Sequence, residues 1–314
     1  MQLPRMQLSR RAALVLSMGV IALVAACGDD TTSGADTDAD APAIVATTGI
    51  WADVTGNIAC DGLAQLETVI PIGGDPHSFE PSLQDREVLE NADLIVANGL
   101  ALEESLEDTI DAAEEGGVPV FRFADHMTPI DSDDPEHANG DPHVWFDPTR
   151  VEAALPALRD ALVEQAGLEA GRVDDCLGAY LSSLAATDAE VISLLDSVPV
   201  ERRKLVTNHD ALSYFAEHYG FDVLGAVIPA PSTLAEANPA DLQALAQIID
   251  DVDVTAIFAE SQHSSTDVDA LAEAVGEVEV VTLFTDSLGP PESGADTYLG
   301  LLETDARLIV EALS

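Results

Sequence analysis

From Ala43 onward, short apolar runs rich in β-branched residues alternate with stretches of helical period. Ala43–Thr48 (AIVATT), Leu66–Ile72 (LETVIPI), Asp93–Asn98 (DLIVAN) and Val118–Phe123 (VPVFRF) predict strands. Ile50–Cys60, Ser82–Asn91 and Glu103–Glu115 predict the helices between them. Pro148–Val163 is helical in period. Gly171–Leu195 carries Val173, Leu177, Tyr180, Leu181, Leu184, Val191 and Leu195, mostly three, four or seven apart, which predicts one long amphipathic helix ended by Pro199. A second alternating half follows, with strands at Lys204–Thr207, Asp222–Ile228, Val254–Ala259 and Val278–Phe284. Its helices are Ala211–Tyr219, Pro239–Ile249 (capped by Asn238, with Pro239 at its first position), Asp267–Val275 and Ala295–Leu313. The pattern predicts an α/β fold of two lobes with parallel sheets, residues 43–167 and 200–314, joined by a long rigid helix within residues 168–199. Ligands in open α/β sheets sit beyond the carboxyl ends of the strands, so the chemistry is expected at strand exits and in the cleft between the lobes. No glycine-rich phosphate loop follows any of these strands, so nucleotide binding has no support.

The region before Ala43 reads as an address and a tether. Arg5, Arg10 and Arg11 precede an uninterrupted run of apolar and small residues from Ala12 to Ala26. The run is shorter than the roughly 20 residues that span a bilayer and fits a signal-peptide core over residues 1–26. It ends Leu23-Val24-Ala25-Ala26-Cys27, which resembles a lipobox, so Cys27 is the expected lipidation site. Ser9-Arg10-Arg11 weakly resembles a twin-arginine signal and leaves the export route open. Residues 27–42, small and acidic, predict a disordered tether. Cys60 and Cys176 remain after processing. In an exported chain they predict a disulfide, with two independently buried thiols as the alternative.

Charge narrows the partners. The 314 residues include 58 Asp or Glu against 12 Lys or Arg, a net charge of −46, and lysine occurs once, at Lys204. Such a surface repels phosphate backbones and anionic lipid, which excludes nucleic acid and leaves covalent or hydrophobic attachment as the route to a membrane. It fits either a salt adaptation or a lineage-wide compositional bias. At 47% hydrophobic residues the chain can bury a full core.

Of seven histidines, three sit in loops beside acids. His77 lies in Gly73-Gly74-Asp75-Pro76-His77-Ser78-Phe79-Glu80-Pro81, after a predicted strand. His143 lies in Asp141-Pro142-His143-Val144-Trp145-Phe146-Asp147-Pro148. His209 follows a strand in Thr207-Asn208-His209-Asp210. The prolines restrict the backbone, so a ligand held there loses less entropy on binding a metal. Asp75, Glu80, Asp141 and Asp210 could accept the second imidazole N–H and set the tautomer. Asp286, at the exit of the last strand, is a candidate anionic fourth ligand. Spacing alone leaves these as ligands or as satisfied loop residues, because they are far apart in sequence, unlike a zinc finger. Glu260, after a strand and beside Ser261, reads as lining the cleft or supporting a ligand. His218 and His263 read as surface residues.

The segments GDPHSFEPS (74–82), NADLIVANGLALE (91–103), DPHVWFDP (141–148), TNHDALSYFAEHYGF (207–221), IFAES (257–261) and TDSLGPPESGADTYLGLL (285–302) resemble the cluster A-I solute-binding lipoproteins, the metal-binding proteins of ABC importers for zinc and manganese. The resemblance runs from about Ala43 to Leu313. It implies two α/β lobes bridged by one helix, a cleft site built by His77, His143, His209 and Asp286, and no enzymatic activity. Manganese members carry Glu at the third position, where this chain has His209. Three imidazoles and one carboxylate suit Zn²⁺ better than Mn²⁺ or Fe²⁺. Many zinc members carry a long His-rich acidic loop before the second ligand. Here residues 125–140 are short and hold only His126 and His137, either a degenerate metal-collecting loop or a solvated acidic turn. The expected function is capture of extracytoplasmic Zn²⁺ by a monomer, lipid-anchored at Cys27, for delivery to an ABC permease. The rivals are a zinc hydrolase with Glu260 as base, weakened by the lack of an H-E-x-x-H segment, and a surface adhesin.

Overall fold

The computed structural model describes residues 41–314 apart from Asp61, Asp133, Pro135, Glu136 and Glu277. The leader, Cys27 and nearly all of the tether lie outside the described residues. Two four-stranded parallel sheets form. The first comprises β1 (Ala43–Ala46), β2 (Gln65–Thr68), β3 (Leu94–Ala97) and β4 (Val120–Arg122), in the order β2-β1-β3-β4. The second comprises β5 (Lys204–His209), β6 (Asp222–Ile228), β7 (Ala256–Glu260) and β8 (Glu279–Leu283), in the equivalent order β6-β5-β7-β8. The helices of the first half are α1 (Gly49–Ala59), α2 (Leu83–Glu90), α3 (Glu107–Glu115) and α4 (Pro148–Glu164), and α5 (Ala170–Leu195) runs between the halves. The second half has α6 (Ser213–Tyr219), α7 (Pro239–Asp251), α8 (Thr266–Val275) and α9 (Tyr298–Leu313).

Parallel strands are covered on both faces, so their residues are apolar in succession. Val45, Ile95 and Ala97 face outward onto Leu89 of α2 and Leu106 and Ile110 at α3. Val206, Ile257 and Ala259 face outward onto Leu245 and Ile249 of α7 and Val268 and Leu271 of α8. The inward faces, with Ile44, Leu94 and Val96 on one sheet and Leu205, Phe258 and Leu283 on the other, belong to one continuous core with α1, α4, α5 and α9. The lobes therefore share a core instead of meeting at a wet interface. Tyr298 of α9 donates its hydroxyl to the Trp145 carbonyl at 2.6 Å and its backbone N–H to Asp53 of α1 at 2.9 Å. Helix α5 spans about 39 Å at 1.5 Å per residue and buries Val173, Tyr180, Leu184, Thr187, Val191 and Leu195 along one stripe. A disulfide joins Cys60, at the end of α1, to Cys176 on α5.

Several boundaries differ from the sequence expectation, and three of the differences shape the surroundings of the site and the core. Strand β2 stops at Thr68 instead of continuing to Ile72, because Pro71 has no N–H for the ladder and the chain must turn toward the His77 loop. Helix α3 begins at Glu107, not Glu103. Glu103 is drawn fully inside, where it accepts the N–H of Asn98 at 2.7 Å, the N–H of Gly99 at 3.3 Å and the Thr47 hydroxyl at 2.7 Å. That cap holds Gly99, Leu100 and Ala101 at positive φ, a turn that costs about 1–2 kcal/mol at each non-glycine residue. Helix α9 starts at Tyr298 instead of Ala295, with Thr297 capping it. Among the described residues no helix is long and apolar enough to cross a membrane.

Candidate metal centre

The elements deliver four side chains to one point between the sheets. His209 is the last residue of β5, and Asp286 lies three residues beyond β8. His77 is carried by the loop after β2, and His143 by the segment that enters α4 through the short 3-10 turn Val144–Phe146. All four are buried, at 0–2% exposure, and one ligand atom from each lies within 4.8 Å of the others. His143 Nε2 and His209 Nε2 are 3.0 Å apart. Asp286 Oδ1 is 3.7 Å from His143 Nε2, and Asp286 Oδ2 is 3.5 Å from His209 Nε2 and 3.8 Å from His77 Nε2. Donors at about 2.0–2.2 Å around a tetrahedral zinc stand about 3.3–3.6 Å apart, and the observed separations bracket that range. Two of the inward atoms, His77 Nε2 and Asp286 Oδ1, are buried without a hydrogen-bond partner. Buried polar atoms left unpaired are costly, and a cation between them would satisfy both.

A carboxylate backs each imidazole on its Nδ1 side. Asp141 Oδ1 accepts the His143 backbone N–H at 2.9 Å and its Nδ1–H at 2.7 Å. Glu260, the last residue of β7, accepts the His209 backbone N–H at 3.1 Å and stands 2.6 and 2.7 Å from Nδ1. Glu104 stands 3.2 Å from His77 Nδ1. Each pairing turns Nε2 inward, where the ring offers its lone pair once that nitrogen is deprotonated. Burial pushes His143 well below the usual imidazole range, so it is neutral. Burial works in the same sense on His209, but Glu260 and Asp286 outweigh it and raise its pKa to about 10. His209 therefore donates its Nε2–H to His143 Nε2. Burial raises Asp286 above the usual carboxylate range and lifts Asp141 to about 7. Glu260 is lowered: burial opposes ionisation, and the charge and hydrogen bonds of His209 overcome it.

The supporting residues differ in part from those expected. Asp141 and Glu260 contact their imidazoles. Glu80 is exposed, and the carboxylate on His77 Nδ1 is Glu104. Asp210 turns away and accepts from the Ser213 hydroxyl at 3.2 Å, because side chains alternate along the chain leaving β5. Asp75 accepts the His77 backbone N–H at 3.0 Å and leaves the ring alone. Glu104 was missed because it reads as a surface acid of a helix that starts four residues later than expected. Its place just after β3 was the available signal. His137 lies on a turn but is buried: it is 2% exposed, neither ring nitrogen has a hydrogen-bond partner, its Nδ1 stands 3.8 Å from Asp134 Oδ1, and it forms a second cluster with His77 and Glu104. His126 is exposed and stacks on Phe121. His218 is half-buried and ties α6 to α5 through Asp188 at 2.8 Å.

The chain matches, over residues 44–312, the family described as zinc-uptake complex component A, periplasmic. It is 30% identical to the manganese-binding lipoprotein MntA of Halalkalibacterium halodurans, covering 94% of this chain and 96% of that one. It is 34% identical to the zinc-binding protein TroA of Treponema pallidum, over 87% of this chain and 89% of that one. The solved structure of the periplasmic zinc-binding protein TroA from the same organism superposes with a TM-score of 0.81 at 35% identity, covering 87% of this chain and 99% of that chain. The chain thus belongs to the zinc-uptake complex component A family: it is a metal-binding substrate-binding protein of an ABC importer, not an enzyme.

Proposed function

We infer that the cargo is Zn²⁺, held by Nε2 of His77, His143 and His209 and by the carboxylate of Asp286. The protein takes it up outside the cytoplasm as a monomer tethered by lipid at Cys27, and passes it to the permease of the importer. The relatives bear names of both metals, manganese for MntA and zinc for TroA, so the donor set must decide. The observation that carries the reading is the convergence of three imidazoles and one carboxylate at a buried point. Manganese favours more oxygen donors and a higher coordination number, whereas zinc is satisfied by four nitrogen and oxygen ligands. The neighbouring carboxylates cannot easily supply that oxygen, because Asp141, Glu260 and Glu104 are each engaged on the far side of an imidazole.

Competitive titration of the purified protein with Zn²⁺ and Mn²⁺, beside His209→Ala, tests this. One zinc per chain should bind far more tightly than manganese. The variant should lose at least about 100-fold in zinc affinity, beyond what losing a supporting hydrogen bond alone costs. Tighter manganese, or zinc binding indifferent to His209, would refute the assignment.

A further inference from the structure

Tyr214 lies on α6, five residues after His209, and is buried at 0% exposure. Its hydroxyl accepts the backbone N–H of Ile130 at 3.0 Å and donates to the carbonyl of Asp141 at 2.7 Å. Burial raises its pKa, so the hydroxyl keeps the proton it donates. Ile130 and Asp141 also meet directly, because the Asp141 N–H donates to the Ile130 carbonyl at 2.9 Å. Gly140, at φ +127°, allows that approach: a Cβ there would stand 2.5 Å from Pro129 Cβ. Arg150 of α4 packs on the tyrosine ring. Its guanidinium carbon is 4.9 Å from the ring centroid, and the group donates to Glu217 of α6 at 2.5 Å and to the Thr128 carbonyl. Asp141 is therefore held through its N–H by Ile130, through its carbonyl by Tyr214 and through its carboxylate by His143.

We propose that Tyr214 is a positioning residue of the centre: its hydroxyl clips the paired ends of segment 130–141 to α6 and, through Asp141, fixes the His143 ring against His209. The proposal rests on the reading that His143 and His209 hold the cargo. The two rings come from different halves of the chain, and their Nε2 atoms stand 3.0 Å apart. A binding constellation has to be held to within about 0.5 Å of its productive geometry. Tyr214 supplies a direct link for this pair, since it is rooted in the helix that follows His209 and grips the residue that orients His143. Without the hydroxyl, the Ile130 N–H and the Asp141 carbonyl lose a partner, and polar groups left short of partners inside the protein are costly. The segment then relaxes, and the Asp141 carboxylate slackens its hold on His143 Nδ1.

The test compares the wild-type protein with Tyr214→Phe, which keeps the ring and removes the hydroxyl. Tyr219→Phe is the control, because the Tyr219 hydroxyl also lies on α6 but bonds Asp188 of α5 at 3.0 Å. One readout is Zn²⁺ affinity, by competition with a chromophoric chelator. The other is the proton NMR signal of His143 Nδ1–H in the metal-free protein, assigned by its loss in His143→Gln. Tyr214→Phe should lower zinc affinity about 10-fold, the lower reach of a residue that orients a ligand, and should move the signal upfield as the bond to Asp141 weakens. Tyr219→Phe should lower the urea midpoint and leave both readouts unchanged. An unchanged affinity or an unchanged signal in Tyr214→Phe overturns the proposal. So does an equal loss in Tyr219→Phe, which would make Tyr214 a general support of α6. If Tyr214→Phe fails to fold, Arg150→Gln loosens the ring with the hydroxyl in place: a weaker affinity with an upfield shift supports the proposal, and wild-type values overturn it. Wild-type zinc affinity in His143→Gln refutes the ligand assignment itself. Loss of zinc there, beside an unaffected Tyr214→Phe, refutes only the role of Tyr214.

Discussion

At the scale of single residues, the centre combines imidazoles of opposite tendency. His143 is kept neutral by burial, while Glu260 and Asp286 hold His209 protonated up to about pH 10. The His209 proton points at His143 Nε2, so a metal held by these two rings, as proposed, has to expel it. A proton bound below pH 10 competes with the cation at all lower pH. Apparent zinc affinity should therefore fall as the medium becomes more acidic, by about tenfold per pH unit between pH 8 and 6. Glu260→Gln removes the main group that raises His209. It should flatten this dependence while lowering affinity about 10- to 100-fold through loss of ring orientation. Isothermal titration at several pH values, in buffers of different ionisation enthalpy, measures both affinity and protons released. A slope that is unchanged in Glu260→Gln would rule out this origin. His77, His143, His209 and Asp286 could be singled out in the sequence because each sits near a predicted strand exit or among prolines. Glu104 and Gln262 could not, since His77 and Asp286, which they reach, lie 27 and 24 residues away and neither residue type is distinctive.

At the scale of elements, the long helix is the clearest feature of the chain. Its stripe of apolar residues at spacings of three, four and seven allows one conformation that buries them together, and α5 buries most of that stripe. The ends of elements were less legible. The start of α3 depended on Glu103 finding Thr47, Asn98 and Gly99, contacts that exist only after β1 and β3 pair. The Cys60–Cys176 bond fastens α1 to α5 and closes a loop over a sequence separation of 116 residues. A cross-link of that length removes much chain entropy from the unfolded state, worth about 2–5 kcal/mol. The double variant Cys60→Ser, Cys176→Ser should unfold at correspondingly lower urea with little change in zinc affinity, because neither cysteine contributes to the centre. Equal urea midpoints in variant and wild type would show that the bond adds no stability.

At the scale of the whole molecule, charge and core pull in opposite directions. A net charge of −46 on 314 residues repels itself, while one continuous apolar cluster binds both sheets and five helices together. Screening should relieve the repulsion. Raising NaCl from about 0.1 M to about 1 M shortens the Debye length from about 10 to about 3 Å. The melting temperature of the metal-free protein should then rise by about 5 °C, the equivalent of about 3 kcal/mol for a chain of this size. A flat response in calorimetry would mean that the acidic side chains are too widely spaced to destabilise the fold. The shared core also implies that the two sheets keep their relation through packing, so the four candidate ligands are presented at a nearly preset distance.

What the sequence determined by itself is what local pattern can encode. Short continuous apolar runs, the 3.6-residue period and the strand–helix alternation specified two parallel α/β halves about one long helix. Prolines and strand exits marked the histidines, and the surplus of acids excluded polyanionic partners. What only the tertiary structure decided is which groups meet. Glu260 reaches His209 across 51 residues. Glu104, not Glu80, stands behind His77. Gln262 bridges the ends of two strands. The physical reason is that burial and strand pairing bring together side chains whose separation along the chain carries no periodic signal, and a carboxylate or an amide acquires its role from the partner it meets there.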